Sequence, residues 1–299
     1  MKIAKRGQWL QIAVPVEWSG LKIEDILKEK LHIPKSLLHE IRMNKGVKLN
    51  NDTLPWSNTV KTSDSLQIQL FVDEDYGLIP EYTDLNILYE DDHVLVVNKP
   101  ANMDTHPTTE GQLGTLANAV AFHYQAQGIQ TKVRHVHRLD QDTTGAILFA
   151  KDRLSSAVLD RMLERREIKR TYYALVHGII KQKSGTIDAS IGRDRHHPTR
   201  RRVSPSGQQA KTRFKVIEKL PSEQMTLIEL QLETGRTHQI RVHMSHLGYP
   251  LVGDILYGGK EVFSRQALHA KYVQFPHPIT NEVIQVEAPY MDVPPIFPQ

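Results

Sequence analysis

The stretch His137-Arg138-Leu139-Asp140-Gln141-Asp142-Thr143-Thr144-Gly145-Ala146-Ile147-Leu148-Phe149-Ala150-Lys151 decides how the rest of the chain is read. Its second half is an apolar run entered through Thr-Thr-Gly, the pattern of a buried strand preceded by a loop. Asp140 therefore lies on a polar loop leading into a core strand, with Arg138 two residues ahead of it. A carboxylate placed there is held by the scaffold yet free to face a ligand. On the local pattern alone, Asp140 and Asp142 read just as well as turn residues that accept from nearby backbone N–H groups. The flanking elements have to separate the two readings.

Toward the C-terminus, Asp152 is placed to cap a helix whose Leu154, Val158, Leu159, Met162 and Leu163 recur at helical spacing. Lys169 to Val176 is a β-rich run. On a strand, Arg170, Tyr172, Ala174 and Val176 share one face and Thr171, Tyr173 and Leu175 the other, so only one of the two tyrosines can face a site on this sheet. Residues 193–213 carry seven cations, among them Arg200, Arg201 and Arg202, against Asp194 alone. A block this dense repels itself unless solvent or a polyanion compensates, and clustered arginine favours phosphate. Thr226 to Leu232 alternates as a strand and runs into Glu233-Thr234-Gly235-Arg236-Thr237-His238-Gln239-Ile240-Arg241-Val242-His243-Met244. Thr237 is expected to cap a helix closing at Gly248, which leaves Arg236 in the turn before it. Residues 268–275 and 282–286 read as a closing hairpin.

Toward the N-terminus, residues 86–100 are two strand-like runs around an acidic turn, ended by Pro100, and Thr115 is placed to cap a helix bearing Leu116, Ala119 and Val120. Residues 73–83 are acidic and carry Gly77 and Pro80, which marks a linker. Residues 1–72 read as a unit of their own, with short helices around Ile23–Leu27 and Leu37–Arg42 and strands at Val47–Asn50 and Ser65–Leu70. The chain thus divides into a small module, 1–72, and an α+β body, 84–299, around a mainly antiparallel mixed sheet.

The bulk properties exclude more than they identify. The 299 residues contain no cysteine, so disulfides and thiolate sites are impossible, which fits a reducing cytoplasm. No run is apolar enough to span a membrane, and the basic start lacks the apolar core of a signal peptide. Fifteen histidines invite a metal-dependent hydrolase, but none makes a His-Glu-x-x-His spacing. There is no Gly-x-Ser-x-Gly elbow and no Gly-rich phosphate cradle, so no metal and no nucleotide cofactor is expected.

Val97-Asn98-Lys99-Pro100, His137-Arg138-Leu139-Asp140 with Thr143-Thr144-Gly145, Lys169-Arg170-Thr171-Tyr172, Ala210-Lys211-Thr212, Gly235 to His243 and Leu268-His269-Ala270 stand in one order. Together they resemble the pseudouridine synthases of the RluA type. The N-terminal unit, with Lys35, Arg42, Lys45 and Lys48, resembles the RNA-binding module named after ribosomal protein S-four. It departs from that family in having Lys22-Ile23-Glu24 and Lys35-Ser36 where an Arg-Leu-Asp and a Ser-Arg are usual, and its first 75 residues balance eleven cations against ten carboxylates.

The resemblance implies isomerisation of uridine to pseudouridine in structured RNA, with large-subunit ribosomal RNA as first choice and transfer RNA as second, by a cytoplasmic, monomeric protein needing no cofactor. Carried over residue by residue, it makes Asp140 the essential aspartate, as nucleophile at C1′ or base at C2′. Tyr172 becomes the aromatic packed on the target base, Arg236 the basic partner of Asp140, and Arg138 the side chain that replaces the flipped nucleotide. Arg200, Arg201, Arg202, Lys35 and Arg42 become phosphate contacts. A non-catalytic RNA-binding or ribosome-assembly protein on the same scaffold is the alternative.

Overall fold

A computed structural model describes residues 2–298. The N-terminal module is a four-stranded antiparallel sheet, β1 (Lys2–Arg6), β2 (Trp9–Ala13), β3 (Val47–Leu49) and β4 (Ser65–Gln69), in the order β1-β2-β4-β3. Across one face lie α1 (Ile23–Asp25), which widens into a π turn over Ile26–Lys30, and α2 (Lys35–Met43). Leu10, Ile12, Leu66 and Ile68 alternate inward and meet Ile26, Leu27, Leu38 and Ile41. The β1–β2 hairpin is an addition to the elements expected from sequence. Its turn runs through Gly7 at φ +57, and the half-exposed β1 hides its alternation behind Lys2, Lys5 and Arg6.

The body contains β5 (Asn86–Glu90), β6 (Val94–Lys99), α3 (Leu116–Ala126), β7 (Arg134–His135), β8 (Thr144–Ala150), α4 (Arg153–Glu164), β9 (Lys169–His177), β10 (Ser184–Asp188), β11 (Ile191–Arg193), β12 (Arg201–Val203), β13 (Lys211–Leu220), β14 (Met225–Leu232), α5 (Gln239–His246), β15 (Leu268–Pro276) and β16 (Val283–Glu287). Ten of these strands form one sheet, whose main path is β10-β13-β14-β9-β15-β8-β6-β5. Its pairs are antiparallel except β15 with β8. Gly145 makes that parallel contact possible. A Cβ there would sit 2.3 Å from the Ala270 carbonyl oxygen, and its φ of +115 suits only glycine.

Every residue of β8 is buried because both faces of the sheet are covered. Ile147 and Phe149 pack toward α3 and Tyr172, whereas Ala146, Leu148 and Ala150 pack toward α4 and Phe275. Thr115 caps α3 in a reciprocal box with Asn118, and Asp152 caps α4 through the Ser155 N–H at 2.8 Å.

Residues 73–83 carry no helix or strand, but they are pinned to the body. Glu74 accepts two 2.6 Å bonds from Arg134, and Tyr76 and Leu78 pack on the body's main core. The module is docked as well: Leu154 and Val158 of α4 join its core, and Arg153 forks onto Glu40 at 2.6 and 2.7 Å.

Candidate active site

The loop before β8 is held from beneath. Lys99 is fully buried, and its ammonium donates to the carbonyls of Pro100, Met103 and Gln141 at 2.7–2.8 Å. Burial pulls its pKa down to about 7, against the nearby Asp142, Asp140 and Asp104, while three carbonyl acceptors favour the charged form. Thr105 closes both sides of Leu139, accepting from its N–H at 3.1 Å and donating to its carbonyl at 3.0 Å. Arg265 reaches the Asp142 carbonyl and the Thr144 hydroxyl while forking onto Asp292. The backbone on either side of Asp140 is therefore fixed, and its side chain projects, half-buried, into a cavity of about 550 Å³.

Tyr172 lines the same cavity from β9, 3% exposed, opposite Leu230 of β14 and the small Ala270 of β15. Burial raises its hydroxyl pKa, with Arg170 opposing and Asp140 reinforcing. Tyr173 points to the other face, where its ring meets Tyr272 edge-on. His137, wholly buried beneath the loop, is pushed down to about 3 by desolvation, Arg170 and His135, so it is a neutral structural imidazole.

The third wall is the turn into α5, and here two expectations need correction. The helix begins at Gln239, with His238 as the N-cap in the left-handed region at φ 57, so Thr237 is not the cap. The Gln239 carboxamide replaces it, accepting from the Arg236 N–H at 3.0 Å and from the Thr234 hydroxyl at 2.7 Å. Nor is Arg236 the partner of Asp140. It lies outside the helix, and its Nε donates to the Gln209 carbonyl at 3.0 Å. The cation beside Asp140 is Arg241, whose Nη1 lies 3.4 Å from Oδ2. Helical phase explains the exchange: Ile240 and Met244 turn into the core, and Arg241 shares with His238, three residues earlier, the face toward Asp140.

Arg241 is itself clamped by Asp254, with Nε and Nη2 on the two carboxylate oxygens at 2.7 and 2.9 Å. Burial opposes its charge, but the hydrogen bonds and charge of Asp254, with Asp140 behind, outweigh this and raise its pKa. His238 Nε2 stands 4.0 Å from Asp140, and its Nδ1 stands 2.8 Å from the Tyr257 hydroxyl. That hydroxyl accepts from the Arg201 N–H at 2.8 Å. Its proton is then free for Nδ1, which leaves the Nε2 proton facing Asp140. Burial lowers the His238 pKa against the pull of Asp140, which keeps the ring neutral.

The other expected residues fall around this centre. Arg138 lines the cavity and is exposed. The basic segment is the β11–β12 hairpin, over a second cavity of about 370 Å³ lined by Arg193 and Arg201. Arg236 and Thr237 belong to both cavities, so they form the ridge between them. Arg202 is exposed, and Arg200 is partly neutralised by Asp194 at 2.7 Å. Lys35 and Arg42 lie exposed on α2 of the module, Arg42 over the Trp56 ring at 4.3 Å. Among the described residues, no three His, Asp or Glu side chains converge as a metal set, and no helix is long and apolar enough to cross a membrane.

The profile of the family described as RNA pseudouridylate synthase matches residues 93–246, from the β5–β6 turn to the end of α5. The chain belongs to the RNA pseudouridine synthase family. Residues 10–66 match the RluD ribosomal pseudouridine synthase N-terminal domain, which is S-four-like. The RNA pseudouridine synthase YhcT of Bacillus subtilis is 50% identical over 287 residues, covering 96% of this enzyme and 95% of that protein. Ribosomal large subunit pseudouridine synthase D of Pasteurella multocida is 40% identical over 244 residues, covering 76% and 74%. The solved structure of human RNA pseudouridylate synthase domain containing 1 overlays with a TM-score of 0.58 at 29% identity, covering 69% of this enzyme and 84% of that chain. Arg241, Asp254, Lys99 and His238 gained their places only from the folded geometry. The available signal for Arg241 was its spacing from His238 on one helix.

Proposed function

We propose that this enzyme converts uridine to pseudouridine in large-subunit ribosomal RNA, with Asp140 as the residue that acts on the sugar. The observation that carries this is the 3.4 Å approach of Arg241 to a half-buried Asp140 whose backbone is fixed on both sides. A guanidinium at that distance gives the carboxylate a fixed cationic partner and orients it toward the cavity. As a nucleophile, Asp140 attacks C1′ and displaces uracil to leave a sugar ester; as a base, it takes the C2′ proton while the C1′–N1 bond breaks, leaving uracil and a glycal. In both routes the uracil turns and C5 bonds to C1′, which breaks the aspartyl ester or saturates the glycal as C2′ regains its proton; C5 then loses its proton and N1 gains one, so no atom is gained or lost overall. Tyr172 offers the ring against which the base turns.

The cavity is too confined for a duplex, so the target nucleotide is flipped into it. Arg138, exposed at the mouth beside Asp140, takes the vacated place in the RNA. The ridge at Arg236 and the groove beneath the β11–β12 hairpin carry the flanking strand, with Arg201 and Arg202 as phosphate contacts and Lys35 and Arg42 of the module further out. Large-subunit RNA is favoured because the module matches the N-terminal domain of a ribosomal synthase. The enzyme works in the cytoplasm, as a monomer and without a nucleotide cofactor. Pseudouridines mapped by chemical modification and primer extension, in cells with and without the protein, test the target. Loss of one or a few sites in large-subunit RNA is expected; an unchanged large-subunit map with losses in transfer RNA would move the assignment there.

A further inference from the structure

Six cations are buried among the described residues: Lys99, Lys151, Arg170, Arg241, Arg265 and Lys271. Five have acceptors. Lys99 has three carbonyls, and Lys151, Arg241, Arg265 and Lys271 have Glu90, Asp254, Asp292 and Glu287, each at 2.7 Å. Arg170 has none. It is 9% exposed, no carboxylate comes within salt-bridge distance, and its guanidinium donates to nothing in the described chain. Its Nε is sealed from solvent and unpaired. Its head group lies beneath the Gly235 turn, where a Cβ would come within 3.1 Å of Nη1, and it lines the cavity of Asp140. A buried charge left without a partner is strongly unfavourable, so the site is built for an anion that arrives with the ligand.

We propose that Arg170 receives a phosphate of the target nucleotide, anchoring the flipped uridine while its base lies on Tyr172 and its sugar faces Asp140. This rests on the reading of the cavity as the catalytic site. RNA supplies an anion of matching shape with each nucleotide, and the guanidinium fork pairs with phosphate through two parallel N–H donors. Of the other guanidiniums lining the cavity, Arg138, Arg166 and Arg236 stand exposed, and the buried one, Arg241, is already engaged by Asp254 and Asp140. Arg170 and Tyr172 stand on the same face of β9, about 7 Å apart along the strand. One nucleotide can therefore meet both. Arg170 is thus a substrate-holding residue rather than a scaffold residue.

The test uses the full-length enzyme and total RNA from cells lacking it, with pseudouridine formation measured across monovalent salt. Arg170→Met is expected to lower kcat/KM by about 30-fold or more, as for a lost buried charge contact. It should also flatten the salt dependence by about 0.7 in the log–log slope, one phosphate's worth. Arg170→Lys should keep the slope. Without RNA, Arg170→Met should melt no lower than wild type, because it removes an uncompensated charge. A wild-type slope in Arg170→Met, or a loss of activity that follows a fallen Tm, overturns the phosphate contact. Asp140→Asn run alongside separates the two readings. If it is inert while Arg170→Met keeps rate and slope, the phosphate contact alone fails; if it turns over normally, the reading of the cavity fails and takes the contact with it.

Discussion

The catalytic body and the N-terminal module both carry prominent cations, but they hold them differently. In the module, Arg42 lies over Trp56, Lys48 over Trp9 and Lys5 over Phe71, at 4.3–4.6 Å on the surface. Each such contact is worth about 0.5–1 kcal/mol, and its loss disturbs little else. In the body, Arg241, Asp254, Asp140, His238 and Tyr257 form one connected, largely buried network, so removing one member strands another. The module is built for graded, replaceable grip and the body for an all-or-none arrangement. We propose that this contrast puts specificity of chemistry in the body and breadth of RNA contact in the module.

The largest difference is expected between separate substitutions of Arg241, inside α5, and Arg236, in the turn before it. Arg241→Met should lower kcat by about 100-fold or more, as for the loss of a preorganised charge at a reacting centre. It should also lower stability by about 3 kcal/mol, because Asp254 keeps a buried charge without its partner. Arg236→Met, on the exposed ridge, should change stability by less than about 0.5 kcal/mol and act on RNA affinity rather than kcat. Steady-state kinetics and urea unfolding of both variants decide; the reverse pattern would return Arg236 to the catalytic pair.

Acid should separate the two regions next. Burial holds His137 down to about 3 and His135 and His269 down to about 4, all in the body. These rings stay neutral in the fold but take up protons when unfolded, below the ordinary histidine value of about 6.5. Their stabilisation is complete above that pH and is lost as pH falls toward 4, on the order of 2 kcal/mol per ring by pH 5. His32 and His39 of the module are exposed. Hydrogen exchange between pH 7 and 5 should show the body loosening while the module keeps its protection. Equal loosening would mean the body's buried imidazoles do not govern its acid stability.

The smallest expected effect lies in the module. Arg42→Ala should weaken RNA binding less than about tenfold, reduce the salt slope by about 0.7 and leave kcat unchanged. A fall in kcat would join the module to the catalytic network.

Much of this was legible in the sequence, and the rest failed for identifiable reasons. The β8 run, the Asp152 cap, the Thr115 cap and the division of Tyr172 from Tyr173 follow from periodicity and cap chemistry, which are local. The β1–β2 hairpin did not, because β1 carries three cations and buries little. The resemblance points to Arg236 as the partner of Asp140, and a Thr237 cap places it in the turn before the helix. Once His238 enters α5 in the left-handed region and Gln239 satisfies the turn, the helix is rephased and Arg241 faces Asp140. Lys99 could be matched as part of a block, but its grip on the Gln141 carbonyl, forty-two residues away, is long-range and has no periodic signature.

Our proposal gives the chemistry to Asp140 and not to the neighbouring Asp142. It is tested most directly by single-turnover pseudouridine formation with purified Asp140→Asn and Asp142→Asn on RNA from cells lacking the enzyme. The geometry predicts no detectable product with Asp140→Asn at unchanged RNA affinity, and product within about tenfold of wild type with Asp142→Asn, whose side chain lies outside the Arg241 pair. Turnover near wild type in Asp140→Asn would contradict it.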